Sequence, residues 1–252
     1  RSERESILAA LFFATATSMF YLSRHFLSYD AAMTFALLGL WLALEEKPAR
    51  WRLLLASVLG IFSILVYIGN WMLVSCVMLL ILIYRLPEQI PDKIKTVAYR
   101  VLWTGIGALI IGGGGFVFSI LIRIDLMNYI NRAVGFSDSI IFGAYAEGWY
   151  YPWDYLWNTE GLMFVVWIVG IVLAIYYSRK SILSKHVVYW FIGIAALYFV
   201  MAVVSTVLHK FVMYDRLVRQ LTPLIVLAVA YGYTQFTQDV SHLLRLKVTP
   251  RS

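Results

Sequence analysis

The sequence predicts an all-α fold: a polytopic transmembrane helix bundle of about eight spans, with a short interfacial helical and aromatic loop on its outer face. Three observations predict it. The chain is 62% hydrophobic and only 14% charged, with a mean hydropathy of +0.78, against roughly 45–50% apolar residues in ordinary globular domains. At 62% of 252 residues, about 156 are hydrophobic, and eight spans of about 20 residues would take about 160. Aromatic residues make up 16%, including nine Trp and seventeen Tyr, which suits a chain with two water interfaces to anchor. This composition excludes a disordered chain, a disulfide scaffold and a soluble enzyme.

Apolar runs bounded by charges place the spans at residues 7–23, 31–45, 52–68, 71–85, 98–122, 161–178, 187–208 and 221–236. The first follows Arg4 and Glu5 and stops before Arg24. The second runs from Asp30 to the Glu45-Glu46-Lys47 cluster, and the third starts at Arg52. The fourth contains the single cysteine, Cys76, expected as a small buried or lipid-facing residue. The inside connection 86–97 carries Pro87 and Pro91 and reads as a simple turn with basic ends. The fifth span holds Gly112–Gly115, expected to permit close helix packing or a bend. A loop at 123–160 follows, read as two interfacial pieces. One is Ile124–Val134, apolar at helical spacing. The other is Gly148–Trp157, with six aromatics in ten residues. Its aromatics suit an interface belt, or a lid or sugar-stacking surface formed by Trp149, Tyr151 and Trp153.

Charge sets the orientation. With the N-terminus placed inside and the loops alternating, fifteen of the 21 Lys and Arg fall inside and six outside. The fourteen acids divide evenly, as expected of a rule that counts Lys and Arg. Both termini are therefore expected in the cytoplasm. The net charge of +7 reports topology here, and no nucleic-acid partner is expected. The chain starts at Arg1 without a signal-peptide pattern, and is expected to be a piece of something longer.

Positive charge is scarce outside, so each outer cation asks for a reason. Arg24 and Asp30 share the loop between the first two spans. An Asp beside an apolar span is costly unless used or paired. One reading is a carboxylate and a guanidinium facing a polar cavity. Another is Asp30 capping a helix that starts at Ala31, with Arg24 snorkelling to headgroups. Lys210, Arg216 and Arg219 share the last outer loop. Arg216 and Arg219 are three apart and share a face if helical, and Arg forks suit phosphate oxygens. Pro223 fits the first turn of the helix that follows. The motifs GxSxG, GxGxxG, HExxH, CxxC and the P-loop are absent. His25, His186, His209 and His242 lie in four separate loops or ends, which makes a shared metal site improbable.

The order of these features resembles a known family. Residues 21–38 (YLSRHFLSYDAAMTFALL) resemble the YSR…D…FxLL segment of GT-C type polytopic glycosyltransferases. That superfamily includes protein O-mannosyltransferases and aminoarabinose transferases of lipid A. Residues 50–60 (RWRLLLASVLG) resemble its basic cytoplasmic turn and following span. Residues 214–223 (YDRLVRQLTP) resemble its late Arg/Tyr…Pro segment, although its Arg and Tyr are usually adjacent.

The resemblance implies transfer of a sugar from a polyprenyl-phosphate donor to a lipid, protein or glycan acceptor. The reaction takes place at the outer face of a membrane, expected to be a prokaryotic plasma membrane. Asp30 matches the family's second acidic position, Arg24 the Arg of YSR, and Arg216 the late basic residue. Arg219 and Tyr214 would join them around the donor phosphate. The family's catalytic acid lies in a large outer loop upstream of the segment where this chain begins, so the chain resembles a member lacking its first two or so spans. Some relatives use a divalent metal and others do not. One visible acid makes no case for a metal, and no cofactor is expected. The competing expectations are a transporter or flippase handling lipid-linked glycans, and an inactive scaffold. The spans show no central charges for an ion-coupled transporter.

Overall fold

The computed structural model describes residues 3–19, 28–125, 128, 148–180, 185–208 and 215–248. The described chain is 88% helix with no strands. Ten α-helices follow in order. They are α1 (Glu3–Thr15), α2 (Ser28–Ala43), α3 (Arg50–Val66), α4 (Trp71–Ile83) and α5 (Ile90–Leu121), then α6 (Tyr151–Glu160), α7 (Leu162–Lys180), α8 (Lys185–Thr206), α9 (Asp215–Val218) and α10 (Thr222–Val248). Among the described residues three stretches, against the eight expected, are long and apolar enough to cross a membrane: Ile90–Leu121, Leu162–Arg179 and His186–Thr206. These make the chain a membrane protein by length and composition.

Each apolar run of the sequence contains a helix, but several boundaries differ. The first run breaks at Ala16, and residues 17–19 start a new helical turn. The inside turn is shorter than 86–97, because α5 already starts at Ile90. Pro91 and Asp92 sit in its first turn, where a missing N–H costs nothing and an acid suits the dipole. The second aromatic piece of the outer loop is helical as α6. Most of Ile124–Val134 lies outside the described residues.

The helices form two compact units. The first comprises α1, most of α6, α7, the start of α8, and α10. Its centre is α10, buried almost without interruption from Thr222 to Tyr231. A helix apolar on all sides needs neighbours on all sides. One neighbour, α7, approaches where Gly170 faces Gly232. A Cβ on Gly232 would lie against the Gly170 carbonyl oxygen and 2.8 Å from the Ala174 nitrogen. Tyr233 donates its hydroxyl to the Val166 carbonyl at 2.9 Å, and its ring meets Phe12 of α1 at 5.7 Å. Trp167, Trp190 and Leu156 complete this core.

The second unit comprises α2–α5, the rest of α8 and most of α9. Its centre is α3, whose buried face reads Leu53, Ala56, Ser57, Gly60 and Ser63, a stripe at helical spacing. Small residues on this face let backbones approach. A Cβ on Gly39 of α2 would come 2.8 Å from the Ala56 carbonyl oxygen, and one on Gly107 of α5 would come 2.6 Å from that of Leu54. At the far end of α3, Asn70 donates Nδ2–H to Ser63 Oγ at 2.6 Å across the tight turn into α4. Cys76 is buried in α4. Gly112–Gly115 do not pack closely: α5 runs through them unbroken, and a Cβ on any of the four would meet open space.

Candidate functional site

The first unit carries a buried polar cluster where α1 breaks. Thr15 turns its hydroxyl back to the Leu11 carbonyl at 2.9 Å as α1 ends. The helical turn that starts after Ala16 has N–H groups with no carbonyl of their own to reach. Glu160 takes two of them. Thr17 donates its N–H to Oε2 and Ser18 to Oε1, each at 2.8 Å. A carboxylate suits the positive end of a helix, and bonds to a charged acceptor are strong. Glu160 is the last residue of α6. Gly161, at φ +55°, then reverses the chain into α7, a backbone conformation that glycine adopts without strain. Ser18 Oγ lies 3.5 Å from Thr222 Oγ1 at the start of α10. Glu160, Ser18 and Thr222 are all buried.

Arg219 lies three residues before Thr222, in the 3₁₀ turn Arg219–Leu221. Its side chain is 1% exposed and that of Gln220 2%. Burying a guanidinium is expensive unless its donors are met. Arg216 stands on α9, but its side chain lies outside the described residues, as do Arg24 and Tyr214 entirely.

Asp30 lies in the second unit, half-buried in the first turn of α2. The helix starts at Ser28, so Asp30 does not cap a helix beginning at Ala31. It complements the dipole from inside the first turn. Its carbonyl accepts the Thr34 hydroxyl at 2.8 Å. Trp149 packs edge-on against Tyr198 and Phe199 of α8, and its carbonyl accepts the Tyr198 hydroxyl at 2.7 Å. Tyr151 starts α6, and Trp153 beside it is exposed.

Two constellations were not foreseen from the sequence. Arg100, near the start of the fifth apolar run, is fully buried in α5. Its Nη1 donates to the carbonyls of Ile81 (2.8 Å), Leu82 (3.3 Å) and Tyr84 (2.7 Å), at the end of α4. Its Nη2 donates to those of Glu46 (2.9 Å) and Glu45 (3.4 Å), just past α2. One guanidinium thus satisfies the orphan carbonyls at the end of α4 and ties them to the bend that follows α2. In the first unit, His186 Nε2 lies 3.3 Å from Glu5 Oε1, and its ring meets Tyr231 edge-on at 5.1 Å.

No three of the described His, Cys, Asp and Glu residues converge to hold a metal. Comparison of the chain with protein-family profiles, curated proteins and solved structures gives no match.

Proposed function

We propose that the chain is part of an integral-membrane glycosyltransferase. It moves a sugar from a polyprenyl-phosphate donor to a lipid, protein or glycan acceptor at the extracytoplasmic face. In this reading the eight apolar runs all cross a prokaryotic plasma membrane, with both termini in the cytoplasm.

One observation carries the topology: helix ends assigned to the same face by charge alternation come together within each unit. Thr17–Ser18, in the outer half of the first run, share one polar cluster with Glu160 and Thr222, at outer ends. Glu45–Glu46, Arg52, Tyr84 and Arg100 are inner ends and share another. The transferase reading rests on the ordered resemblance of residues 21–38, 50–60 and 214–223, and on the burial of Arg219 within the last of these segments.

The chemistry is a displacement at the anomeric carbon. A carboxylate takes the proton of the acceptor hydroxyl, whose oxygen attacks the sugar. The bond from the sugar to the phosphate oxygen breaks, and the lipid phosphate departs with the electron pair. Cationic side chains stabilise that charge as it develops. Arg24, Arg216 and Arg219, with Tyr214, hold the phosphate, and Asp30 assists at the donor. Trp149, Tyr151 and Trp153 border the acceptor side.

The test measures transfer from a panel of polyprenyl-phosphate sugars by membranes containing the full-length protein. Asp30→Asn and Arg216→Ala are each expected to reduce transfer by about a hundredfold, the scale of one lost catalytic or oxyanion-stabilising group. Transfer within twofold of wild type for both would overturn these roles.

A further inference from the structure

The second unit contains a cavity of about 490 Å³ that the transferase reading does not use. It lies among the ends of four helices. Glu46, Lys47, Pro48 and Ala49 line it between α2 and α3, Arg85 and Pro87 after α4, and Lys95, Thr96, Tyr99 and Arg100 on α5. Lys47, Arg85 and Lys95 bring three exposed cations to it, against one exposed acid in its lining, Glu46; Asp92, one turn before Lys95, pairs with it only loosely, at 3.9 Å and in solvent.

The helix ends do not cancel this charge. The carbonyl end of α4 and the backbone carbonyls of the bend after α2 are already met by Arg100. The positive end of α3 starts at Ala49, which supplies no side-chain cap. Arg85 adopts φ +45° in the turn after α4, where glycine is the relaxed choice. The surroundings are those of a membrane interface. Arg50 lies 5.2 Å over the Trp103 ring and Arg52 5.3 Å over Trp51, the pairing of basic and aromatic residues found at headgroup depth. Beyond Arg100, α5 continues as an apolar helix with Val101, Leu102, Leu109 and Ile110 exposed.

A free phosphate and a lipid headgroup share the chemistry these cations recognise. The apolar helix continuing from the cavity commits it to the lipid, whose acyl chains need such a surface. We propose that this cavity binds the phosphate headgroup of an anionic membrane lipid, held by Lys47, Arg85 and Lys95.

The test uses the full chain in neutral detergent, with phosphatidylglycerol binding counted by native mass spectrometry against phosphatidylcholine. Each cation near a membrane surface is worth roughly fivefold in affinity, so Lys47→Gln/Arg85→Gln/Lys95→Gln should weaken phosphatidylglycerol binding about a hundredfold. A control triple at cations that do not line the cavity, Arg4→Gln/Arg123→Gln/Arg179→Gln, should change it less than twofold. Arg85→Gly keeps the test decisive if the triple variant fails to fold. It relaxes the backbone and removes one cation, so it should bind roughly fivefold more weakly without a lower melting temperature. Three results would each overturn the proposal: unchanged binding by Arg85→Gly, an equal loss in the control triple, or displacement of the lipid by millimolar inorganic phosphate.

Discussion

Each unit solves the same problem with the opposite charge. In the first, the carboxylate of Glu160 collects the N–H groups of a helical turn that starts after Ala16. In the second, the guanidinium of Arg100 collects the carbonyls of one helix that stops, α4, and of the bend after another, α2. An apolar environment leaves no water to satisfy a broken helix, so a break must be closed from within. The scale differs. Glu160 accepts two bonds, one on each oxygen, whereas Arg100 makes five contacts from two nitrogens. The lesson is that a buried charge can be spent on backbone rather than on a partner charge or a ligand.

That difference predicts an order of effects on thermal unfolding in detergent. Arg100→Met should be the most damaging, lowering stability by about 3–5 kcal/mol, the scale for breaking a buried charged network. A loss below about 1 kcal/mol would mean that water already serves those carbonyls. Glu160→Gln keeps the shape but turns one acceptor into an amide that faces an N–H donor. It should lower stability by about 1–3 kcal/mol. The double variant tests whether the two caps are independent. Their losses should add within about 0.5 kcal/mol, and a larger coupling would show that the caps share a network.

Glycine sharpens the comparison from the packing side. Gly232→Ala forces a methyl against the Gly170 carbonyl and should cost about 1–3 kcal/mol. Gly113→Ala meets open space in the middle of α5 and should gain about 0.5–1 kcal/mol. A destabilising Gly113→Ala would reveal a neighbour on that face of α5.

The helices were legible because an apolar run bounded by charges leaves few alternatives at this hydropathy. The caps were not legible. Arg100 bonds to carbonyls 16 to 19 and 54 to 55 residues away, and every residue has a carbonyl, so no side-chain pattern marks the partner. Glu160 and Thr17 stand 143 positions apart, and the break at Ala16 sits inside an unbroken apolar run. Four adjacent glycines looked like a packing surface, yet solitary Gly39, Gly107, Gly170 and Gly232 make the close contacts. Glycine shows where a backbone could approach, not whether one does. Of the candidate site, Arg219 was singled out by its scarcity outside, and its burial gives that scarcity a structural counterpart. Glu160 was passed over as one more acid at the end of a loop.

The short helices of the second unit have a mechanical consequence. At 1.5 Å per residue, α4 with 13 residues spans roughly 20 Å and α3 with 17 roughly 26 Å, against a hydrocarbon layer of about 30 Å. Arg100 stops α4 by holding its last carbonyls, so the helix cannot lengthen to meet a thicker layer. On the proposed eight-span topology the lipid would have to yield instead: a bilayer around this unit would thin, and the protein would sort toward membranes with shorter acyl chains.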